Sequence, residues 1–593
     1  MNKSIKRGLL LGLASGFLAL LFGGWAMTVL AVFGGILIGF TSKSGAGKAA
    51  AFSPKAVAVS ALIFSIVTAI GGLVFDLWLA DLAIVTDHPP EVAFPAAIAG
   101  IVLGTLSAVG MAYVQHMPDA RAARRINYGV GALVLILLPI VDQLTQLGWA
   151  ASIIFAGVYI VLAIGLDVVV GYAGLLNLGY AAFFGFGAYA TALLSSNQIG
   201  AHVNFWLLLW IAAAIAGIGG VLLGAPTLGL RGDYIAIITL GFGEIVPVAF
   251  QQLIKITIQE PFTCVILPAI QSIGGGIPTA QCITLVDKFD LTGGVRGINP
   301  IDRPAFPIIS PTDEPLALIV KIAFMLALVG LLFFFFRRQQ RNGKVGPGTM
   351  IFAGLTVGLI LILFIPIPHT TEGLLAPFWN TFQPGQFASD NLLPWWFFLL
   401  AVIGLVIFLK LRLKNSRLGR AMTAIREDEL AANQMGVDLV HTKLTAFAFG
   451  AAIAGLAGAF YSAYVSAVFP DGFGFGTSII IMAAIVLGGL GSIPGNILGA
   501  LIIFLADLLF LKQFQNVLNG LSTHMLMPAV TDPALKGFII ANLDPVKYRF
   551  LLLGLVLVLV MAFRPEGLLP TREQRMQFHA EEPIDEEAPA GAA

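Results

Sequence analysis

Few residues in this chain have the types and spacing that chemistry requires, and those that do stand apart from one another. The histidines, His88, His116, His202, His369, His441, His524 and His579, are scattered and show no metal-ligand spacing. Cys264 and Cys282 have none either. SKSGAGKA at Ser42–Ala49 is close to a phosphate-binding loop, but it lacks the first Gly and the final Ser/Thr, and no strand precedes it. GFGAYA from Gly185 spells a dinucleotide-binding string, yet it lies in an apolar run without a βαβ context. No catalytic constellation is present, so if ATP drives this protein, its hydrolysis comes from another chain.

What remains is one charge cluster and a few isolated polar groups. AIREDELAANQMG, Ala424 to Gly436, sets Arg426, Glu427, Asp428 and Glu429 side by side in a chain that is 11% charged and 58% hydrophobic. Asn415 and Ser416 can cap a helix start, and Leu418, Met422, Ile425 and Glu429 recur at helical spacing. Ala431 and Ala432 favour helix, and Gly436 suits its end. The pattern predicts a short helix with apolar and charged faces. It is either a solvated connection or a docking helix, whose charges serve a soluble partner and whose small residues let that partner approach.

Elsewhere, Asp167 and Glu244 interrupt apolar runs. A carboxylate there is costly and must face protein or a water-filled cavity. Glu244 could line a path or tie helices together. GYAGLLNLGYAAFFGFGAYA (Gly171–Ala190) spaces small residues as close helix packing in lipid requires, and its Tyr172, Asn177 and Tyr180 serve that packing or shape a translocation path. Arg231 and Asp233 read as a local ion pair or anchor at a membrane boundary.

The elements that position these groups follow from composition. A soluble domain is roughly 25% charged, more than twice the 11% here. Runs such as Ala150–Val170, Phe205–Ala225, Leu444–Ser466 and Pro494–Leu511 reach or approach the length that crosses a bilayer. They lack the alternation of a barrel strand. The chain therefore reads as all-α, a polytopic transmembrane helical bundle of about 13–16 membrane segments. The net charge of +1 gives no electrostatic case for nucleic acid. MNKSIKR followed by GLLLGLASGF looks like a signal peptide, but apolar sequence continues to Phe40 without a clear cleavage site, so a retained membrane segment is expected.

Basic loops orient the bundle. Lys3, Lys6 and Arg7, then Lys43, Lys48 and Lys55, then Arg121, Arg124 and Arg125, then Arg337, Arg338, Arg341 and Lys344, and finally Lys410–Lys443 mark the cytoplasmic side. Asp81–Glu91, Glu260–Glu314 and His369–Asn391 face outward, and GGLGSIPG (Gly488–Gly495) makes an inner turn. Both termini are then cytoplasmic. The expected organisation is an N-terminal membrane extension (1–125), the first part of a core with a long outer loop (126–315), an inserted hairpin and outer loop (316–393), the second part of the core (394–570) with the loop 412–443, and an acidic, disordered tail (571–593).

Glu429-x-Ala431-Ala432-x-x-x-Gly436 resembles the EAA motif of ABC-importer permeases, whose loop helix sits in a groove of the cytoplasmic ATPase. SRLGRAMTAIREDELAANQMGV, KLTAFAFGAAIAGLAGAFYSAYVSAVFPDGFGFGTSIIIMAAIVLGGLGSIPGNILGA and FRPEGLLP follow one another in the order seen in the LivM type of branched-chain amino-acid permease. GLDVVVGYAGLLNLGYAAFFGFGAYATALL, LRGDYIAIITLGFGEIVPV and LTGGVRGI are similar to the same family.

The resemblance implies a permease subunit that moves leucine, isoleucine and valine inward by alternating access, with urea, short amides or other amino acids as alternative cargo. It implies a second, LivH-like permease, two ATPase subunits that carry ATP and Mg, a periplasmic binding protein and surrounding lipid, with no cofactor in this chain and a bacterial inner-membrane location. Arg426, Glu427, Glu429, Ala431, Ala432 and Gly436 would form the coupling surface, and LTGGVRGI (Leu291–Ile298) a gate or a contact for the delivering protein. The family more often has Asn where this chain has Asp167, which leaves the charge of Asp167 open. An ion-coupled secondary transporter, with Asp167 and Glu244 as coupling carboxylates, is the rival, but the halves show no clear inverted repeat.

Cys264 and Cys282 both fall in the outer loop. In an oxidising periplasm they could form a disulfide; otherwise they are two unpaired, partly buried thiols. Peptide mapping under non-reducing conditions decides: the disulfide predicts one linked pair of peptides, and two free thiols in freshly isolated protein exclude it.

Overall fold

The computed structural model describes residues 28–32, 61–70, 93–115, 138–139, 141–142, 148–227, 233–254, 256–259, 268, 271, 285–304, 387, 391–521 and 545–570. Cys264, Cys282, Arg231, the inserted hairpin, the acidic tail and most of the N-terminal extension lie outside them. The helices, in chain order, are α1 (Ala93–Gln115), α2 (Trp149–Asp167), α3 (Tyr180–Leu194), α4 (Phe205–Thr227), α5 (Asp233–Gln252), α6 (Leu392–Lys414), α7 (Arg417–Glu427), α8 (Glu429–Gln434), α9 (Leu439–Val465), α10 (Phe475–Gly488), α11 (Ile493–Leu505), α12 (Lys512–Leu521) and α13 (Arg549–Phe563). Among the described residues, seven helical stretches are long and apolar enough to cross a membrane, and four more are apolar but shorter. The protein is a polytopic helical membrane protein. One departure from all-α is a two-stranded antiparallel ribbon in the long loop after α5, β1 (Ile256–Gln259) with β2 (Leu285–Phe289).

The chain divides into two compact units. In the smaller one (1–152, 309–365, 505–552), α1 lies close enough to residues 28–32 that Ser107 Oγ donates to the Val32 carbonyl at 3.2 Å. There the Asp142 carboxylate accepts from the amides of Trp149 and Ala150 at 2.8 and 3.0 Å, which caps the start of α2.

The larger unit (153–308, 366–504, 553–593) is organised around α9. Its sequence, LVHTKLTAFAFGAAIAGLAGAFYSAYV, is apolar all round and rich in Ala and Gly. Such a helix can be buried on every side, and small residues let neighbouring backbones touch it. A Cβ on Gly455 would lie 2.5 Å from the Ala212 carbonyl of α4, and one on Gly187 of α3 would strike the Gly455 backbone from the other side. Aromatic side chains fill the space beyond this seam: Trp395 of α6 packs edge-on against Phe460 and Tyr464.

A belt over one end of the unit holds the bundle together. Ile298 pairs with Val468, and Ile301 with Ser196. Thr292 Oγ1 donates to the Phe250 carbonyl at 2.6 Å, and His202 Nδ1 meets the Asp302 carboxylate at 2.6 Å. LTGGVRGI forms the start of this belt.

Gly455→Val forces the α4–α9 seam apart, so it should cost about 1–3 kcal/mol or more. Gly404 of α6 has open space where a Cβ would sit, and Gly404→Ala should gain roughly 0.5–1 kcal/mol. Thermal midpoints of the two variants in detergent should move in opposite directions; equal midpoints would refute the close-contact seam.

Candidate functional site

The connection between α6 and α9 is assembled from caps. Ser416 Oγ accepts from the Gly419 amide at 3.1 Å and donates to the Leu413 carbonyl at 2.7 Å, which turns the chain sharply into α7. α7 buries Gly419, Met422 and Ile425 and leaves its charged side outward. The single helix expected from the spacing through Glu429 is in fact two. Asp428 adopts an extended conformation, and its Oδ1 accepts from the amides of Leu430 and Ala431 at 2.8 and 3.0 Å. A side chain that caps so well ends α7 and begins α8 at the same residue.

α8 then stops at Gly436, whose φ of 82° suits glycine, while the Val437 amide reaches back to the Ala432 carbonyl at 3.1 Å. Asp438 caps α9 through the His441 amide at 3.0 Å.

The six residues assigned to coupling divide by direction. Glu427, Ala431 and Gly436 are exposed. Ala432 is buried and seats α8. Glu429 is bound to the nearly buried Lys443 of α9 at 2.5 Å, which ties α8 to the start of α9. Arg426 turns inward and donates from Nη1 to the Gly171 carbonyl at 2.6 Å. The spacing did not single out Leu430 and Met435, which are 59% and 85% exposed on this charged connector. Together with Ala431 and Gly436 they make an apolar knob with an acidic rim. Exposed apolar side chains on a connector away from the membrane-spanning helices are available for contact with a protein. Apolar residues inside a charged run were the available signal.

Three of the path candidates lie at the unwound chain between α2 and α3: Tyr172 in the turn before it, Asn177 within it and Tyr180 at the start of α3. After a π-helical turn, Val168–Tyr172, the backbone runs irregularly to Tyr180. Non-helical backbone at membrane depth survives only where protein or a water-filled cavity surrounds it. The Tyr180 hydroxyl donates to the Gly450 carbonyl at 2.8 Å, a tie between α3 and α9. Asn177 is fully buried; its Oδ1 accepts from the Gly179 amide at 3.0 Å, and its Nδ2 has no hydrogen-bond partner. Tyr172 lies under the Lys410 ammonium, 5.3 Å from ring centroid to Nζ. Glu244 is not brought to this group. It lies on the face of α5 turned away from the rest of the unit, with Tyr234, Ile237, Ile245 and Val248.

Asp167 and Lys410 were the least expected pair. Both are wholly buried, and they form an ion pair. Lys410 was expected at the start of the basic Lys410–Lys443 segment that marks the cytoplasmic side. α6 continues to Lys414, so Lys410 lies one turn inside it and needs the carboxylate. The second carboxylate oxygen, Oδ1, accepts from the Gly491 amide at 2.7 Å, in the turn between α10 and α11.

Comparison with known proteins finds relatives of this chain. A family model described as "Branched-chain amino acid transport system / permease component" matches residues 149–274 and 307–561. The high-affinity branched-chain amino acid transport system permease protein LivM of Salmonella typhimurium is 30% identical over 431 residues, 73% of this chain and 72% of that protein. LivM of Escherichia coli is 32% identical over 418 residues, 70% and 69% of the two chains. LivH of Escherichia coli is 36% identical over 110 residues, 18% of this chain and 34% of that protein. No solved structure matches the chain.

Asp428→Ala removes the cap of α8, at a cost of about 1 kcal/mol. Hydrogen exchange at the Leu430 and Ala431 amides should then speed up roughly five-fold; unchanged exchange would show that the cap does not hold the helix.

Proposed function

The chain belongs to the family of branched-chain amino-acid transport permeases, and from that membership we propose that it is one permease subunit of an ATP-driven importer in a bacterial inner membrane. It moves leucine, isoleucine and valine inward by alternating access and performs no covalent chemistry. The observation that carries this reading is the connector. It is a capped pair of short helices that presents Leu430, Ala431, Met435 and Gly436 outward and is fastened at its base by Glu429–Lys443 and Arg426. A rigid base and an apolar knob suit a part that must be gripped and moved by a soluble motor.

The remaining parts take their places around it. Two ATPase subunits, carrying ATP and Mg, dock below the permease pair from the cytoplasm, where the basic loops and both termini lie, and the connector of this chain grips one of them. A second, LivH-like permease covers the Glu244 face of α5, so that Glu244 meets either that partner or the path between the two. Tyr172, Asn177 and Tyr180 shape the inner wall of the path at the unwound chain. The belt over the outer end, with exposed Val295 and Phe469, receives the periplasmic binding protein.

Purification of the tagged chain from its native membrane should bring down a second permease, an ATPase and a binding protein, and vesicles rebuilt from them should take up leucine only with ATP. Met435→Glu or Gly436→Glu should remove the ATPase from the purified complex while membrane insertion continues. Uptake driven by a proton or sodium gradient without ATP would overturn the proposal.

A further inference from the structure

The Asp167–Lys410 pair and the Arg426–Gly171 bond are adjacent, and between them they join four segments of the chain. Lys410 belongs to the last turns of α6, which leads directly into α7. Asp167 ends α2, and its two oxygens are divided between Lys410 and the amide of Gly491, in the turn from α10 to α11. Four residues after Asp167, the Gly171 carbonyl accepts from Arg426 at the end of α7. The carbonyls at the end of the π turn can be followed one by one. That of Val169 accepts from the Leu175 amide at 3.1 Å, and that of Val170 from the Gly174 amide at 3.2 Å. That of Gly171 is taken by the connector's guanidinium. A helix end with a terminal carbonyl satisfied by a side chain from another element is tied to that element.

We propose that this junction is the link through which displacement of the connector reaches the translocating helices, with Asp167, Lys410 and Arg426 as positioning residues; the inference rests on the importer reading above. A simple staple between two helices would need only one of these contacts. Here α7 pulls on the π turn through Arg426, and on the same turn through α6 and Lys410. The carboxylate that receives this pull also holds the α10–α11 turn. The charges cannot slip past one another cheaply, because a buried ion that loses its partner is strongly disfavoured. The π turn beneath them is a geometry that recurs at functional sites.

The test uses the complete complex in vesicles and reads leucine transported per ATP hydrolysed. Asp167→Asn with Lys410→Met removes both charges together and avoids the stranded ion that either single change would leave. Arg426→Gln, in the connector outside the membrane-spanning helices, supplies a second variant should the buried double change fail to fold. The proposal expects the ratio to fall about ten-fold in each, while the ATPase still co-purifies at its normal stoichiometry and the thermal midpoint stays near that of the natural complex. Normal transport per ATP in the folded variants overturns it. Loss of the ATPase from the Arg426→Gln complex also overturns it, because Arg426 would then belong to the docking surface. If the unaltered complex shows no ATP-dependent uptake, the importer reading itself fails, and the inference with it.

Discussion

An ammonium and a carboxylate without access to solvent can coexist in an apolar bundle only in contact, and that constraint fixes the inner geometry of this protein. Lys410 cannot leave Asp167 without stranding a charge among apolar side chains. Asp167 therefore sets how far α6 and α2 can slide past one another. Its free oxygen fixes the α10–α11 turn, and the Tyr172 ring lies under the ammonium. A neutral pair at these two positions would pack as well and specify less. Ion pairs of this sort are weak evidence for stability and better evidence for one permitted arrangement.

Above this junction the bundle is held by a different force. The seam of α9 with α3 and α4 has no charge, and glycines bring its backbones together beside aromatic contacts such as Phe184 with Tyr461. It depends on backbones close enough for many dispersion contacts, which is the main attraction left between helices in lipid. The two devices divide the labour by depth. Small residues give α9 its fixed neighbours, and the ion pair gives the ends of α2 and α6 their register. Between them runs the irregular chain from Ala173 to Gly179, which neither device makes helical.

How much of this could be read from the sequence depends on the range of the interaction concerned. The spanning helices were legible because twenty apolar residues admit few alternatives. The stop at Gly436 and the cap at Ser416 were legible because each is a local rule about one residue and the next few. Asp428 was missed as a cap because it stands among four charged residues, any of which could belong to a helical face. Lys410 was misplaced because it leads a basic run, and nothing local says that its helix continues past it. Its partner is 243 residues away in the chain. The inward bond of Arg426 was not legible for the same reason, since the Gly171 carbonyl it binds is 255 residues distant. Leu430 and Met435 were passed over because the eye follows charge in an apolar chain, although in a charged connector the apolar residues are the informative ones.

The same reasoning about unpaired charge explains why this chain is only part of a machine. Asp167 finds its counter-charge within the chain, whereas Glu244 forms no ion pair among the described residues: it lies on the outward face of α5, within a helix apolar enough to span a membrane. Lipid is a poor neighbour for a carboxylate. Under the proposed pairing with a second permease, that face becomes an interface or the wall of a hydrated path, and the cost of Glu244 is met from outside. One carboxylate is satisfied inside the chain and helps fix its fold. The other lies on an exposed face of α5, which is the face that the proposed second permease would cover.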